Sequence, residues 1–221
     1  PRLQGRMSES LADLPKLVSD KKSKGRVGLL LLRSYILAGN TLHYDSAIAA
    51  LEAQGLQVLP IFAVGLDARP AIEQFFFQDG KNIVDAVVSL TGFSLVGGPA
   101  YNDAKAAEEV LASLDVPYLA AQPLEFQTLN DWGGSDRGLL PVENTLMIAI
   151  PELDGAIVPM VFGGRAGEAD VQCTGCHKAC VFEASINRHD MHTCVERTAM
   201  LAARVSKLIA LRKSERANRK V

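Results

Sequence analysis

The sequence predicts an α/β fold: a doubly wound, mostly parallel five-stranded sheet with a Cys-rich insertion and a long C-terminal helix. Three observations lead there. Short apolar runs alternate with helical patterns along most of the 221 residues, the order that builds parallel sheets. The runs are almost continuously hydrophobic, as strands covered on both faces require. Polar, Gly-rich segments follow them, where open α/β sheets place their sites.

Residues 27–32 form the first apolar run. Asn40 or Thr41 is positioned to cap a helix whose Tyr44, Ile48 and Leu51 share one face, and Gly55 ends it. Residues 56–64 read as the second strand. Asp67 to Pro70 starts a helix that turns Ile72, Phe75 and Phe76 inward. Residues 84–90 are the third strand, running into Thr91-Gly92-Phe93-Ser94 and Gly97-Gly98-Pro99 before a helix opened by Asn102. Residues 104–114 follow as helix and 116–121 as the fourth strand. After a polar stretch come a helix around 142–150 and a fifth strand at 156–162. The long helix runs from Cys194 to about Arg212, with Leu201, Val205, Leu208 and Ile209 at helical spacing. The organisation expected is a linker over 1–25, the α/β domain over 26–165, a Cys/His-rich insertion over 166–193 and the helix over 194–221. Pro1 stands where an initiator Met would, and Asn218-Arg219-Lys220 resembles the lead-in to the first strand. A segment of a longer protein, ending where another α/β unit begins, is therefore expected.

Composition narrows the function. Hydrophobic residues make up 48%, enough for a core burying roughly 70% of the unfolded surface. A net charge of −2 gives no global signal for nucleic acid or an anionic membrane. The basic residues of 204–220 read as a solvated helix end. No apolar run reaches a membrane span, and no secretory pattern is visible, so the cytoplasm is the default location. The loop after the third strand lacks both G-x-x-x-x-G-K-[ST] and G-x-G-x-x-G, which leaves nucleotide binding weakly supported.

A parallel sheet would gather Arg33-Ser34-Tyr35, Thr91 to Ser94, Gln122 to Glu125 and Gly163 to Arg165 on one rim. His43 belongs to the helix after the first of these. Glu152 and Asp154 precede the fifth strand, at its amino end or on a loop folding over. A rim with an imidazole, carboxylates, an arginine and an aromatic ring suits an anionic planar ligand and proton transfer. The plainer roles are an ion pair for Arg165, a surface position for His43 and helix caps for Asn102 and Asp67. Ser94 has no base at readable spacing and no G-x-S-x-G around it.

Arg33-Ser34-Tyr35, His43-Tyr44-Asp45, the run over 51–67, the run over 88–102, Pro-Leu-Glu-Phe-Gln-Thr at 123–128 and Pro-Glu-Leu-Asp-Gly-Ala at 151–156 form an ordered series. The series resembles the large, porphyrin-binding H subunit of magnesium chelatase, within the superfamily of the cobaltochelatase large subunit. The match covers about residues 25–165, and the forms at 43–45 and 92–102 favour the magnesium enzyme. The resemblance implies insertion of Mg²⁺ into protoporphyrin IX, toward chlorophyll and bacteriochlorophyll. It also implies an AAA+ ATPase partner and its companion subunit, which supply ATP-driven work. Mg²⁺ sheds water reluctantly, and two pyrrole protons must leave, so oxygen or imidazole ligands and a base are needed. Glu152, His43, Glu125 and Asp154 are the candidates, with Glu152 foremost because its motif belongs to the resemblance; a plain Asp-Gly turn is its alternative. Arg33 or Arg165 would hold a propionate, and Thr91, Phe93, Ser94 and Asn102 would line the porphyrin site. The alternatives are a cobaltochelatase acting on a corrinoid and a non-enzymatic tetrapyrrole-binding or redox-sensing module.

All four cysteines fall at Cys173, Cys176, Cys180 and Cys194, with His177, His189 and His192 among them. Disulfides are unexpected in a cytosolic setting. Cys173-Thr174-Gly175-Cys176-His177 also fits c-type haem attachment, which takes place outside the cytoplasm. A [4Fe–4S] cluster on the four thiolates, structural Zn²⁺ and reduced free thiols remain open.

Overall fold

A computed structural model of the chain describes residues 7–14, 18–98, 101–183 and 190–219. Six strands build the main sheet: β1 (Gly25–Leu31), β2 (Leu56–Phe62), β3 (Ala86–Ser89), β4 (Tyr118–Thr128), β5 (Ile157–Arg165) and β6 (Met191–Thr193). Their spatial order is β6-β5-β4-β3-β1-β2. The five strands β1 to β5 pair in parallel, as expected, whereas β6 lies antiparallel on β5. The sheet therefore has six strands rather than five. The sixth comes from the segment expected to be a Cys/His-rich insertion, through Met191, His192 and Thr193.

Apolar side chains on both faces explain the parallel core. On one face Val27, Leu29 and Leu31 pack with Tyr44, Ile48 and Leu51 of α2 (Leu42–Ala53) and with Leu201, Val205 and Ile209 of the long C-terminal helix (Val195–Lys213). On the other, Leu30 and Val87 pack with Ile72 of α3 (Arg69–Phe75) and with Ala107, Val110 and Leu114 of α4 (Ala104–Leu114). Burying each large side chain contributes about 1.5–3 kcal/mol. A short α1 (Arg33–Leu37), not expected from the sequence, follows β1 directly. Gly28 is required because Phe76 crosses it closely: a Cβ there would lie 2.2 Å from the ring.

Local chemistry departs from the expected caps. Thr41 makes no side-chain cap at α2, and its hydroxyl donates instead to Asp45 at 3.2 Å. The Asp67 carboxylate accepts from the Arg69 amide and guanidinium rather than capping alone. Asp103, not Asn102, caps α4 by accepting from the Ala106 N–H at 3.0 Å. The helix expected around 142–150 runs in three pieces: Pro141–Glu143, a π-helical Asn144–Ala149 and Ile150–Leu153. The C-terminal helix is pinned where Lys213 donates to Asp85 (2.9 Å) and to the Lys24 carbonyl (3.1 Å). Across the β2 edge, the Gln57 amide donates to Val18 and Asp20 of the N-terminal segment. His189 and Pro99 lie outside the described residues. Among the described residues, no helix is long and apolar enough to cross a membrane.

Gly28→Ala is expected to cost about 1–3 kcal/mol by forcing the buried Phe76 ring aside, read as a lowered urea midpoint at unchanged m-value.

Candidate active site

Strand order reverses between β1 and β3, the switch point of an open α/β sheet. Local hydrogen bonds fix the two loops that leave it. After β1, the Leu32 amide donates to the Tyr44 hydroxyl at 3.2 Å. After β3, the Ser89 and Thr91 hydroxyls lie 2.9 Å apart, and Thr91 accepts from the Phe93 amide. The loop then bends at Gly92, whose φ of +73° suits glycine. Between the two strand ends lies a cavity of about 40 Å³ bordered by Arg33, Ser89, Thr91, Phe93 and Ser94. Beside it opens a larger cleft of about 890 Å³, between the N-terminal segment, the end of β2 and α3.

The buried Asp154 carboxylate holds this loop. It accepts from Ser94 Oγ at 2.8 Å, from the Leu95 amide at 2.7 Å and from Asn102 Nδ2 at 2.9 Å. Asn102 also donates to Ser94 Oγ at 2.9 Å. Three of the expected site residues, Ser94, Asn102 and Asp154, thus spend their polar atoms on one another. Asp154 caps the last helical turn before β5, at the amino side of that strand, and the segment after β3 reaches it there.

Tyr35, Glu125 and Arg165 converge at the carboxyl ends of β1, β4 and β5. Burial raises the Glu125 carboxyl above its ordinary range, and the Tyr35 hydroxyl, within hydrogen-bonding reach, and the Arg165 charge partly oppose that rise. Burial and the neighbouring Glu125 push the Tyr35 phenol upward in turn, so it stays a donor. β4 reaches this point because it runs on to Thr128, with register shifts after Leu119, Gln122 and Leu124. His43 is fully buried beside this group, its ring 5.2 Å from Tyr35 and 3.8 Å from Tyr44. Neither of its ring nitrogens has a hydrogen-bond partner among the described residues. Burial first and His192 second push its pKa down to about 3, so it is neutral at physiological pH.

The other expected residues are placed elsewhere. Arg33 is exposed at the rim. Glu152 is exposed on the helical turn before β5 and joins no contact with Tyr35, Glu125 or Arg165 among the described residues. Sequence reasoning does not reach Tyr35 as a partner of Glu125, nor the place of His192 in an edge strand, nor the buried Glu143, which accepts from Gln127 and the Leu140 amide. The alternation Met191-His192-Thr193 is the one available signal for β6.

Cys173 and Cys194 are buried, Cys176 and Cys180 half-buried, and all four are free thiols. The Cys176 thiol lies within reach of both Cys180 and Cys194. Burial and Cys176 push the Cys194 thiol up to about 12. Burial likewise raises Cys180, with Cys176 and Cys173 adding to it. The loop carrying the first two packs on α5 (Leu129–Gly133), where Gly175 leaves room for the Trp132 ring. Arg197 stacks 4.4 Å from that ring. Among the described residues, no group of three or more His, Cys, Asp or Glu side chains is arranged to hold a metal ion.

An open sheet of this order, with a carboxyl, a phenol and a guanidinium gathered on its carboxyl rim, defines an α/β protein of the doubly wound class. Comparison with known proteins narrows the class. Residues 3–221 match CobN/Magnesium Chelatase, and the chain belongs to that family. It is 50% identical to the magnesium-chelatase H subunit of Cereibacter sphaeroides over 222 residues, covering 100% of this chain and 18% of the relative. The magnesium-chelatase H subunit of Rhodobacter capsulatus is likewise 50% identical over 221 residues, with 100% and 18% covered. The chain thus spans under a fifth of the length of these relatives. The solved catalytic subunit of cobaltochelatase from Mycobacterium tuberculosis superposes with a TM-score of 0.66 at 24% identity, covering 93% of this chain and 16% of that one. That likeness supports the parallel-dominated fold.

Asp154→Ala should free the 92–102 loop at a cost of roughly 3 kcal/mol, since charged hydrogen bonds contribute about 1.5–3 each and the vacated donors stay buried. Faster hydrogen exchange at the Leu95 amide, together with a lower denaturation midpoint, checks it.

Proposed function

We propose that the chain is part of the porphyrin-binding subunit of a magnesium chelatase, acting on protoporphyrin IX and Mg²⁺ with ATP hydrolysed by an AAA+ ATPase subunit and its companion. The observation that carries this reading is the half-buried Glu125 carboxyl beside Tyr35 and Arg165 at the sheet's carboxyl rim. The half-identical magnesium-chelatase H subunits of the two bacteria support the choice of reaction.

The chemistry follows from the environment. Mg²⁺ prefers oxygen ligands and keeps its water. A carboxylate withdrawn from bulk water is a stronger base than an exposed one. Glu125 combines both capacities: its oxygens suit the ion, and its raised pKa suits acceptance of a pyrrole proton. Tyr35 donates to it and fixes its orientation. Arg165 favours its ionised form against the effect of burial and holds a porphyrin propionate as its second task. Arg33, exposed at the same rim, is free to reach the other propionate. Thr91 and Phe93 border the cavity between β1 and β3 and line one side of the macrocycle. Ser94, Asn102 and Asp154 shape that wall. Glu152, set away from Glu125, serves as an outer carboxylate that collects Mg²⁺, and His43 contributes a neutral imidazole behind Tyr35.

The four cysteines form a separate centre. Cys176 lies within hydrogen-bonding reach of Cys180 and of Cys194, the described residues hold no preformed metal site, and a [4Fe–4S] cluster would have to draw the four thiolates together. Structural Zn²⁺ is the second occupant. Such a centre would fasten the 173–180 loop to the start of the C-terminal helix.

Three measurements test these assignments. Glu125→Gln in the assembled enzyme should lower kcat for Mg²⁺ insertion by about a hundredfold, within the range of a lost general base. It should also remove the acid limb of the pH profile: Glu125 is inactive once protonated, so the wild-type rate falls as pH drops through its raised pKa. An unchanged acid limb assigns the base elsewhere. Porphyrin quenching should favour protoporphyrin IX over hydrogenobyrinate; the reverse preference points to a cobaltochelatase. Anaerobically purified protein should carry about four iron and four acid-labile sulfide. Zinc without sulfide supports the second occupant, and neither metal leaves free thiols.

A further inference from the structure

The carboxyl rim of the sheet changes character from one side to the other. Toward β4 and β5 it carries Tyr35, Glu125 and Arg165, and Arg33 stands exposed after β1. Beyond the end of β2 it opens into the cleft of about 890 Å³, whose walls include Leu31, Ile36, Phe62, Val64, Leu66 and Phe75. That volume lies within the roughly 300–1,000 Å³ of pockets that bury a small organic ligand. Among the described residues of the lining the charged side chains are Glu9 and Asp67, both acidic. Asp67 is already paired with Arg69 at 2.7 Å. The cleft is continuous with the rim, because Leu31, Phe62 and Leu66 also line the small cavity bordered by Arg33 and Thr91.

The outer wall is held in place although it faces water. Val64 is 83% exposed and Leu66 55%, both on the loop between β2 and α3. The Gly97 amide donates to the Leu66 carbonyl at 3.1 Å, and the Ala68 amide to the Leu95 carbonyl at 3.0 Å. Leu95 in turn donates its own amide to the buried Asp154. A Cβ on Gly98 would lie 2.5 Å from Leu66, so the two loops pack in contact. Apolar side chains kept in water on a fixed backbone mark a surface that an apolar occupant would cover.

We propose that this cleft takes the apolar edge of a tetrapyrrole, the edge bearing its alkyl and vinyl groups, while the carboxylate-bearing edge lies at Arg33 and Arg165. Resting on the porphyrin reading above, this placement makes the cleft the surface that sets specificity. A carboxylate pushed into it would lose water without gaining a cation, and would face Glu9 and Asp67. The cleft therefore rejects tetrapyrroles that carry carboxylates around the whole perimeter, a discrimination by unpaired charge.

Porphyrin quenching by the full-length subunit tests this. The wild type should bind protoporphyrin IX more tightly than coproporphyrin, which carries a carboxylate on every pyrrole, by at least about tenfold, or roughly 1.4 kcal/mol. Val64→Lys places a cation in the cleft at an exposed position and should shrink that ratio to about threefold or less, roughly 0.7 kcal/mol. Leu66→Arg should act in the same direction, with circular dichroism confirming the fold of both variants. Met200→Lys, on the C-terminal helix, should leave the ratio unchanged. Protoporphyrin binding with undiminished selectivity in both cleft variants overturns the proposal and leaves the porphyrin reading standing; another segment of the polypeptide seated in the cleft would give that result. Equal binding of the two porphyrins by the wild type also overturns it. Absence of porphyrin binding in the wild type removes the porphyrin reading and the cleft assignment together.

Discussion

The pairing of β1 with β3 is the constraint on which the rest depends. β1 is flanked by β2 on one side and β3 on the other, and its core residues are withdrawn from water on both faces. A strand so enclosed can shift register only by moving apolar side chains out of both layers at once. Its carboxyl end is therefore fixed relative to that of β3, and the loops beginning at Leu32 and Leu90 must diverge over opposite faces. The gap between them exists because strand order reverses there.

Asp154 turns that gap into a defined surface. A long polar loop at a strand end would sample many conformations at a backbone cost of about 1–2 kcal/mol per ordered residue. A single buried carboxylate accepting from Ser94, Leu95 and Asn102 offsets part of that cost. It also commits most of its acceptor capacity in doing so. A carboxylate committed to three donors is poorly suited to collect a cation or a proton, which separates the framework role of Asp154 from the chemical role open to Glu125.

Much of the fold was legible in the sequence because burial on both faces leaves a local mark. The runs over 27–32 and 84–90 are apolar almost without interruption, and their strands follow. β4 is less legible: past Ala121 it carries Gln122, Glu125 and Gln127, so its continuation to Thr128 does not look like a strand. That continuation rests on irregular pairing with β5, where Gly164 allows Leu124 to approach closely. β6 is three residues amid cysteines and histidines, and only its partner strand identifies it. The site divides the same way. The motifs on the rim are visible as residues, but the 60-residue separation of Ser94 and Asp154 and the pairing of Tyr35 with Glu125 are properties of the folded chain alone. Glu152, prominent as part of a motif, stands outside that group because its side chain is exposed on the helical turn before β5.

If the proposed function holds, the rim would meet a tension present in any site that strips water from a small, hard cation. Full burial of Glu125 would keep it protonated and useless as a ligand, whereas full exposure would leave it a weak base competing with bulk water. The chain places it between these limits: burial lifts its pKa, while the Tyr35 hydroxyl and the Arg165 guanidinium pull it back. An arginine that surrenders part of its charge to Glu125 holds an anionic ligand less firmly. Binding that ligand would in turn weaken the hold of Arg165 on Glu125 and raise its basicity further. On the function proposed above, ligand arrival at Arg165 and proton acceptance at Glu125 would thus be coupled through one guanidinium.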